Sequence, residues 1–258
     1  MNIRAVFLDL DGTLISFNTH DIPFSARKTL FRLKEKGILL FAATGRGKDG
    51  LAILEGLPFD GFITLNGQYC YTTDGTILYE NTIIQEDLEV LLKELDRHPF
   101  PCGFVTRNTK VFNYRDARVE EVHAITHNDG HPAGDISGIL QEPVYQVMTF
   151  LNESEEKELL KKMPHCTSAR WYPTFCDISP LGGTKVKGID VFCDYFGIPL
   201  SAVMAVGDGG NDKEMLKHVH LAAAMGNAPE DVREIADLVT ADTDHDGIWK
   251  LFRDLDMI

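Results

Sequence analysis

A buried strand that runs directly into two closely spaced carboxylates constrains this chain more than any other feature. Residues 3–8 are branched, aromatic or small apart from Arg4, which is typical of a strand covered on both faces. Asp9 and Asp11 follow, and alternate residues of an extended chain point to the same side. Two neighbouring carboxylates repel each other unless a proton or a cation lies between them. The segment is therefore either an ordinary Asp-Gly turn or a catalytic pair, and later segments decide between the two.

Buried strands followed by polar residues occur again further along the chain. These junctions are 38–43 before Thr44-Gly45-Arg46, 62–65 before Asn66, and 202–206 before Gly207-Asp208-Gly209-Gly210-Asn211-Asp212. Helical segments separate the strands, and this alternation predicts a parallel sheet with right-handed crossovers. Ligands bind beyond the carboxyl ends of the strands in such sheets. The predicted fold class is α/β, with a doubly wound, mostly parallel, Rossmann-like core.

A middle segment with a different pattern interrupts this alternation. Residues 82–183 combine short strands and helices in no regular order and include a loop at 128–134 that is rich in glycine and polar residues. The alternation of strand and helix returns after Gly183. We therefore predict a core built from residues 1–81 and 184–258, with an α+β domain inserted at 82–183.

The charge and the cysteines limit the partners and the compartment. Lys and Arg number 25 against 39 Asp and Glu, and the formal net charge of −14 argues against nucleic acid or an anionic membrane surface as a partner. No apolar run approaches the roughly 20 residues of a membrane helix. Five scattered cysteines without a paired motif favour a reduced, cytoplasmic protein. The oligomeric state stays open.

Four motifs taken together resemble those of the haloacid dehalogenase superfamily of phosphohydrolases. They are Asp9-Leu10-Asp11-Gly12-Thr13, Thr44-Gly45-Arg46, Lys185, and Gly207-Asp208-Gly209-Gly210-Asn211-Asp212. The place of the insert and the late Gly226-Asn227-Ala228-Pro229 are similar to the Cof-type sugar-phosphatase branch, which carries an α+β cap there. The resemblance implies a phosphatase of small phosphorylated metabolites, with sugar phosphates as the expected class and the cap setting specificity.

The chemistry of the residues agrees with this resemblance. Hydrolysis of a phosphate monoester needs an in-line nucleophile and neutralisation of a dianion. Asp9 is the expected nucleophile, forming an aspartyl-phosphate, and Asp11 is the expected general acid and base. Mg²⁺ is the expected cofactor because it prefers oxygen ligands, here Asp9, the Asp11 carbonyl and Asp208, with Asp212 acting through water.

A further set of residues is expected to hold phosphate or substrate. It comprises Thr44, Gly45, Arg46, Asn66, Asn211 and Lys185. Two of them have a simpler interpretation: Arg46 as a partner of a surface carboxylate, and Asn66 as a turn residue.

Two lysines compete for the phosphate-binding role at the start of one predicted helix. Lys185 precedes Ile189, Phe192 and Phe196 at +4, +7 and +11, an apolar stripe that must face the sheet. Lys187 shares its face with charged residues, although the Lys-Gly pair that it forms is also a family pattern. The helical spacing favours Lys185.

Two other functions fit the same residues. A phosphotransferase such as a phosphomutase would pass the phosphoryl group to a second hydroxyl. A non-catalytic sensor would bind a phosphometabolite without turnover, but Asp9 and Asp11 argue against it because binding alone needs no acid/base carboxylate.

Overall fold

A computed structural model describes residues 2–107, 109–126 and 133–258. Most of the loop predicted at 128–134 therefore lies outside the described residues. The chain divides into two units, one made of residues 1–80 and 184–258 and the other of residues 81–183. We call them the core unit and the inserted unit.

The strands fall in both units. In chain order they are β1 (Ala5–Leu8), β2 (Leu39–Ala43), β3 (Gly61–Thr64), β4 (Tyr69–Thr72), β5 (Ile77–Glu80), β6 (Cys102–Thr106), β7 (Lys110–Phe112), β8 (Val144–Thr149), β9 (Cys166–Tyr172), β10 (Phe175–Pro180), β11 (Val203–Gly207), β12 (Leu221–Ala224) and β13 (Leu238–Val239).

The helices lie between these strands. They are α1 (Phe24–Glu35), α2 (Gln85–Arg97), α3 (Ala117–Thr126), α4 (Glu153–Leu160), α5 (Lys185–Phe196), α6 (Lys213–His218), α7 (Glu230–Arg233) and α8 (Gly247–Asp254). Within the described residues, none of them combines the length and the apolar character that a bilayer crossing requires.

The core unit is built on one sheet that is mostly parallel. Its strand order is β13-β12-β11-β1-β2-β3-β4-β5, and the neighbours from β13 to β3 run parallel. β4 and β5 are added antiparallel through the hairpin, as alternating residues around Asp74-Gly75 favour. The α/β fold class is confirmed: α1, α6 and α7 connect successive parallel strands, whereas β2 and β3 are connected through a 3₁₀ helix at Lys48–Leu54.

Aromatic residues pack the centre of the core unit. The rings of Phe7 and Phe41, on adjacent strands, stack with centroids 4.7 Å apart, and Phe192 of α5 lies 4.6 Å from Phe41. All three side chains are fully buried. α5 therefore lies directly against the middle of the sheet, which fixes its N-terminus relative to the strand ends.

The inserted unit contains an antiparallel sheet in the order β7-β6-β8-β10-β9. One buried cluster joins this sheet to α2, including Leu88, Leu91, Phe104 and Val147. A smaller cluster around Phe112, Phe150 and Phe175 includes Val119 and Val122 of α3. The inserted unit is thus an α+β structure with its own hydrophobic core.

Candidate active site

The register of the parallel strands brings the polar junctions to one edge of the core sheet. Leu8 of β1 lies level with Ala42 of β2 and Val206 of β11. The residues that follow each strand therefore leave the sheet together, since parallel strands end at the same edge. This alignment brings Asp9 and Asp208 into one cluster, although they lie about 200 residues apart in the sequence.

An acidic cluster with one lysine lies at this edge. Asp9, Asp208 and Asp212 are buried, and each places a carboxylate oxygen within 4.8 Å of those of the other two. Lys185 Nζ donates to Asp9 Oδ1 at 2.5 Å and to Asp212 Oδ1 at 2.6 Å. Only 3% of Lys185 is exposed, so the helix face predicted to point inward is confirmed as buried.

Burial dominates the protonation of this cluster. It raises the pKa of Asp9 from 3.8 to about 8, although the Lys185 ammonium acts in the opposite direction. Burial also raises the pKa of Asp208 to about 6, against the hydrogen bond from Thr13. For Lys185, burial lowers the pKa, but Asp9 and Asp212 outweigh it and the net pKa is about 12. The lysine is therefore charged, whereas Asp9 and Asp208 bind a proton more readily than an exposed carboxylate does, until a cation replaces that proton.

The turn after Asp11 packs tightly against Asp208. Gly12 has a φ of +85°, and a Cβ atom there would stand 2.1 Å from Asp208 Oδ2, so only glycine fits. Thr13 Oγ1 donates to Asp208 Oδ1 at 2.9 Å, and Asn227 Nδ2 donates to Asp208 Oδ2 at 3.0 Å. Asp208 is thus oriented by two donors from different parts of the chain.

Asp212 holds the loop that follows β11. Its Oδ2 accepts the backbone N–H groups of Asp208 at 2.9 Å and Gly209 at 2.8 Å. Its Oδ1 accepts Lys185, and the side chain is completely buried. Both oxygens of Asp212 are engaged within the protein, which favours a supporting role over direct contact with a ligand.

The segment after β2 contributes a capped turn and an ion pair. Thr44 is buried, and its Oγ1 accepts the backbone N–H of Arg46 at 3.0 Å. Arg46 forms a bidentate pair with Asp11, with Nε 2.9 Å from Oδ2 and Nη2 2.6 Å from Oδ1. Arg46 Nη1 also donates to the carbonyl of Gly50 at 3.1 Å. Asp11 lies at the same sheet edge as Asp9 but takes its partner from a neighbouring strand end.

Two asparagines meet beside this segment. Asn211 Nδ2 donates to Asn66 Oδ1 at 3.0 Å, and Asn66 has a left-handed backbone with φ 54°. The backbone of Asn66 therefore forms a turn, and its side chain contacts Asn211, another residue of the predicted site. Lys187 lies apart from the acidic cluster, exposed, with Nζ 5.5 Å from the ring centroid of Tyr79.

Sequence reasoning missed three side chains of this region. Thr13 and Asn227, the donors to Asp208, both lie inside segments that carry the family resemblance, and that position was the available signal. Phe17 is 62% exposed, yet its ring packs against Gly12. No local pattern distinguishes Phe17 from an ordinary surface aromatic.

The donor set suits a divalent metal ion. Asp9 and Asp208 offer carboxylate oxygens, the hard donors that such ions prefer, and Asp212, whose own oxygens are engaged within the protein, has an oxygen within 4.8 Å of theirs. Burial raises the pKa values of Asp9 and Asp208 because it disfavours their charged forms. A cation bound between the two carboxylates would stabilise those charged forms in place of a proton. The residues of this cluster therefore fit a divalent metal ion.

The model of the haloacid dehalogenase-like hydrolases matches residues 6–252, so the chain belongs to this family. The resemblance inferred from the four motifs is thereby confirmed. The protein is a phosphoric monoester hydrolase, since relatives named as phosphatases match it over nearly the whole of both chains.

Three relatives illustrate the similarity. The putative phosphatase YkrA of Bacillus subtilis (strain 168) is 31% identical over 260 residues, with 100% of both chains covered. The solved structure of the HAD subclass IIB sugar phosphatase BT4131 is 38% identical, with a TM-score of 0.84 over 99% of this chain and 100% of that one. The phosphatase BT1666 from Bacteroides thetaiotaomicron is 32% identical, with a TM-score of 0.90 over 99% and 96%.

Proposed function

We propose that the protein is a Mg²⁺-dependent phosphatase of small phosphorylated metabolites, with sugar phosphates as its substrate class. The observation that carries the proposal is the buried Asp9 carboxylate, held by Lys185 within an acidic cluster at the edge where such sheets bind ligands. The sugar-phosphatase relative at 38% identity supports the substrate class.

Asp9 is proposed as the nucleophile. One carboxylate oxygen would attack phosphorus in line with the leaving oxygen and form an aspartyl-phosphate, which water then hydrolyses. Lys185 would oppose the rise in the pKa of Asp9 that burial causes, hold its carboxylate in place and offset charge on the phosphoryl group. Thr44, the backbone of Gly45, and Asn211 would bind phosphoryl oxygens.

Asp11 is proposed as the acid that protonates the leaving oxygen and as the base that then activates water. Because Arg46 occupies both Asp11 oxygens, this role requires the pair to separate when substrate binds. A phosphate dianion is a suitable competitor, since a guanidinium binds phosphate as well as carboxylate in bidentate fashion. Arg46 would thus exchange Asp11 for the substrate.

Mg²⁺ would be held by Asp9, the Asp11 carbonyl and Asp208, with Asp212 acting from behind. When bound, the metal ion supplies positive charge that stabilises the phosphoryl group during transfer. Thr13 and Asn227 would keep Asp208 in position for this role. The five cysteines are all free and buried, which supports the reducing cytoplasm as the compartment.

The inserted unit is proposed as the cap that sets specificity. It has a hydrophobic core of its own, so it can move as a body without unfolding. A closing domain excludes water and adds contacts to the leaving group, which is the part of a phosphomonoester that differs among substrates.

Release of inorganic phosphate by the purified protein tests the proposal. With Mg²⁺ we expect turnover of p-nitrophenyl phosphate, loss of activity in chelator, and poor replacement by Ca²⁺ because of its looser shell. Asp9→Asn should abolish turnover while the fold stays intact, since the amide has the same shape but cannot attack phosphorus. Asp74→Asn, on the exposed hairpin turn, is the matched control and should keep native activity.

Three results would contradict parts of the proposal. Full activity in metal-free protein would reject the metal, and near-native activity of Asp9→Asn would remove Asp9 from the mechanism. Phosphate transfer that occurs only with an added acceptor would indicate a phosphomutase. Binding of phosphometabolites without any turnover would indicate a sensor. A panel of phosphorylated metabolites then identifies the preferred substrate.

A further inference from the structure

The turn Leu65–Gly67 contains backbone strain beside the active site. Leu65 and Asn66 have φ angles of 51° and 54°, and Gly67 follows at 103°. Asparagine and glycine adopt such angles readily, but leucine does not, and each strained residue costs about 1–3 kcal/mol. Strain of this kind persists only where surrounding contacts hold it, and such residues cluster at functional sites.

Two backbone hydrogen bonds fasten this turn to the segment after β2. Leu65 N–H donates to the carbonyl of Arg46 at 3.0 Å, and Asn66 N–H donates to the carbonyl of Thr44 at 2.9 Å. The Leu65 side chain is 5% exposed, so its burial adds to these bonds. The position of segment 44–46 is thus coupled to the left-handed backbone of the turn.

The other end of the turn touches the start of α5. A Cβ atom at Gly67 would stand 2.1 Å from the carbonyl oxygen of Thr184, so the two backbones are in close contact. Thr184 caps α5 through its side chain, which accepts the N–H of Lys187. The turn therefore lies between segment 44–46 and the helix that begins with Lys185.

The Asn66 side chain completes the set of contacts. Its Oδ1 accepts Asn211 Nδ2 at 3.0 Å. Its amide lies over Gly45, where a Cβ atom would stand 3.2 Å from Nδ2 and 3.3 Å from Oδ1. Asn211 itself is exposed, and a side chain at the surface needs a partner to stay in one rotamer.

We propose that Asn66 is a positioning residue, which the strained turn holds so that it fixes the rotamer of Asn211 for phosphate binding. The inference rests on the proposed function, since Asn211 is assigned there to the phosphoryl oxygens. Asn66 acts through Asn211. A direct contact of Asn66 with substrate is the alternative that the experiment separates from it.

Asn66→Gly tests the side chain alone. Glycine adopts the left-handed backbone at lower cost than asparagine, so the substitution removes the amide group without adding backbone strain. We expect the Kd for inorganic phosphate, measured by calorimetry with Mg²⁺, to rise about tenfold, as loss of one well-placed hydrogen bond implies. The kcat/KM for p-nitrophenyl phosphate should fall by a similar factor, and the melting temperature should not fall. Asp256→Gly, at another left-handed position with φ 54°, is the control and should match the native protein.

A double-mutant cycle distinguishes positioning from direct contact. Asn211→Ala should weaken phosphate binding at least as much as Asn66→Gly, and adding Asn66→Gly to it should change the Kd by less than about twofold. Single effects that multiply in the double variant would overturn the proposal in favour of direct contact. A change of less than about twofold in Asn66→Gly alone would overturn it outright. Since phosphate binding is measured without turnover, an inactive native enzyme would refute the proposed function and leave this test intact.

Discussion

Lys185→Met removes one positive charge from the acidic cluster and keeps most of the side-chain volume. The ammonium contacts Asp9 Oδ1 at 2.5 Å and Asp212 Oδ1 at 2.6 Å, and all three side chains are buried. Methionine favours the helix about as well as lysine does, so α5 itself should persist. The substitution therefore reports on charge rather than on packing.

The structure sets the size of the effect on stability. Removal of one partner from a buried ion pair costs about 3–5 kcal/mol when the other charge stays uncompensated. Here the cost is limited, because burial already holds the pKa of Asp9 at about 8 and the carboxyl can take up a proton at pH 7. We expect a loss of about 3 kcal/mol, which for a unit of about 150 residues lowers its melting temperature by roughly 6–12 °C.

The effect on activity should be larger than the effect on stability. A protonated Asp9 cannot attack phosphorus, and the phosphoryl group loses a preorganised positive charge, so kcat/KM should fall by about 10²–10³-fold. Without Lys185 the pKa of Asp9 rises further, since the ammonium is what lowers it. With Mg²⁺ held constant, the acidic limb of the pH profile of kcat/KM should therefore move to higher pH.

Lys187→Met is the matched control on the same helix. Its ammonium lies over the ring of Tyr79 and away from the acidic cluster, so activity should stay within about twofold of native. The two variants are assayed side by side for phosphate release and thermal unfolding. A larger loss of activity in Lys187→Met than in Lys185→Met would refute the reasoning from the helix face.

Two further predictions concern the inserted unit. Burial raises the pKa of Asp177 from 3.8 to about 7, so the folded protein binds the extra proton between about pH 4 and 7 and loses stability as the pH rises through that window. Asp177→Asn should therefore raise the melting temperature relative to native more at pH 8 than at pH 5, and an equal difference at both would contradict this. Replacing residues 82–183 by a short linker should abolish selection among sugar phosphates more than hydrolysis of p-nitrophenyl phosphate, and a folded truncated protein with native selectivity would show that the cap assignment is wrong.

Local patterns were sufficient to predict the framework of the site. The positions of β1, β2 and β11 follow from apolar runs, and the parallel order then places Asp9 and Asp208 at one edge. The inward face of α5 follows from the spacing of Ile189 and Phe192 after Lys185, and all three are buried. These features repeat with the period of a helix or a strand, so the sequence encodes them directly.

The contacts between loops could not be predicted in the same way. The Arg46–Asp11 pair, the Asn211–Asn66 bond and the Asn227–Asp208 bond join segments from different strand ends. Their formation depends on loop geometry, which includes left-handed residues that no periodicity requires. Arg46 does pair with a carboxylate, but this carboxylate belongs to Asp11, itself a predicted site residue, so phosphate binding by Arg46 stays a prediction.

The charges of the cluster indicate why metal and phosphate should bind together. When all three carboxylates are ionised, Asp9, Asp208 and Asp212 with Lys185 leave two negative charges in a buried site, and these would repel a phosphate dianion. A divalent cation cancels this excess, and on the proposed mechanism it also displaces the proton that burial favours on Asp9. Once the cation is bound, Lys185 and the guanidinium of Arg46 can attract phosphate without repulsion of the phosphate by the carboxylates. Substrate affinity should therefore depend on metal concentration, since the metal ion removes the negative charge that would exclude phosphate.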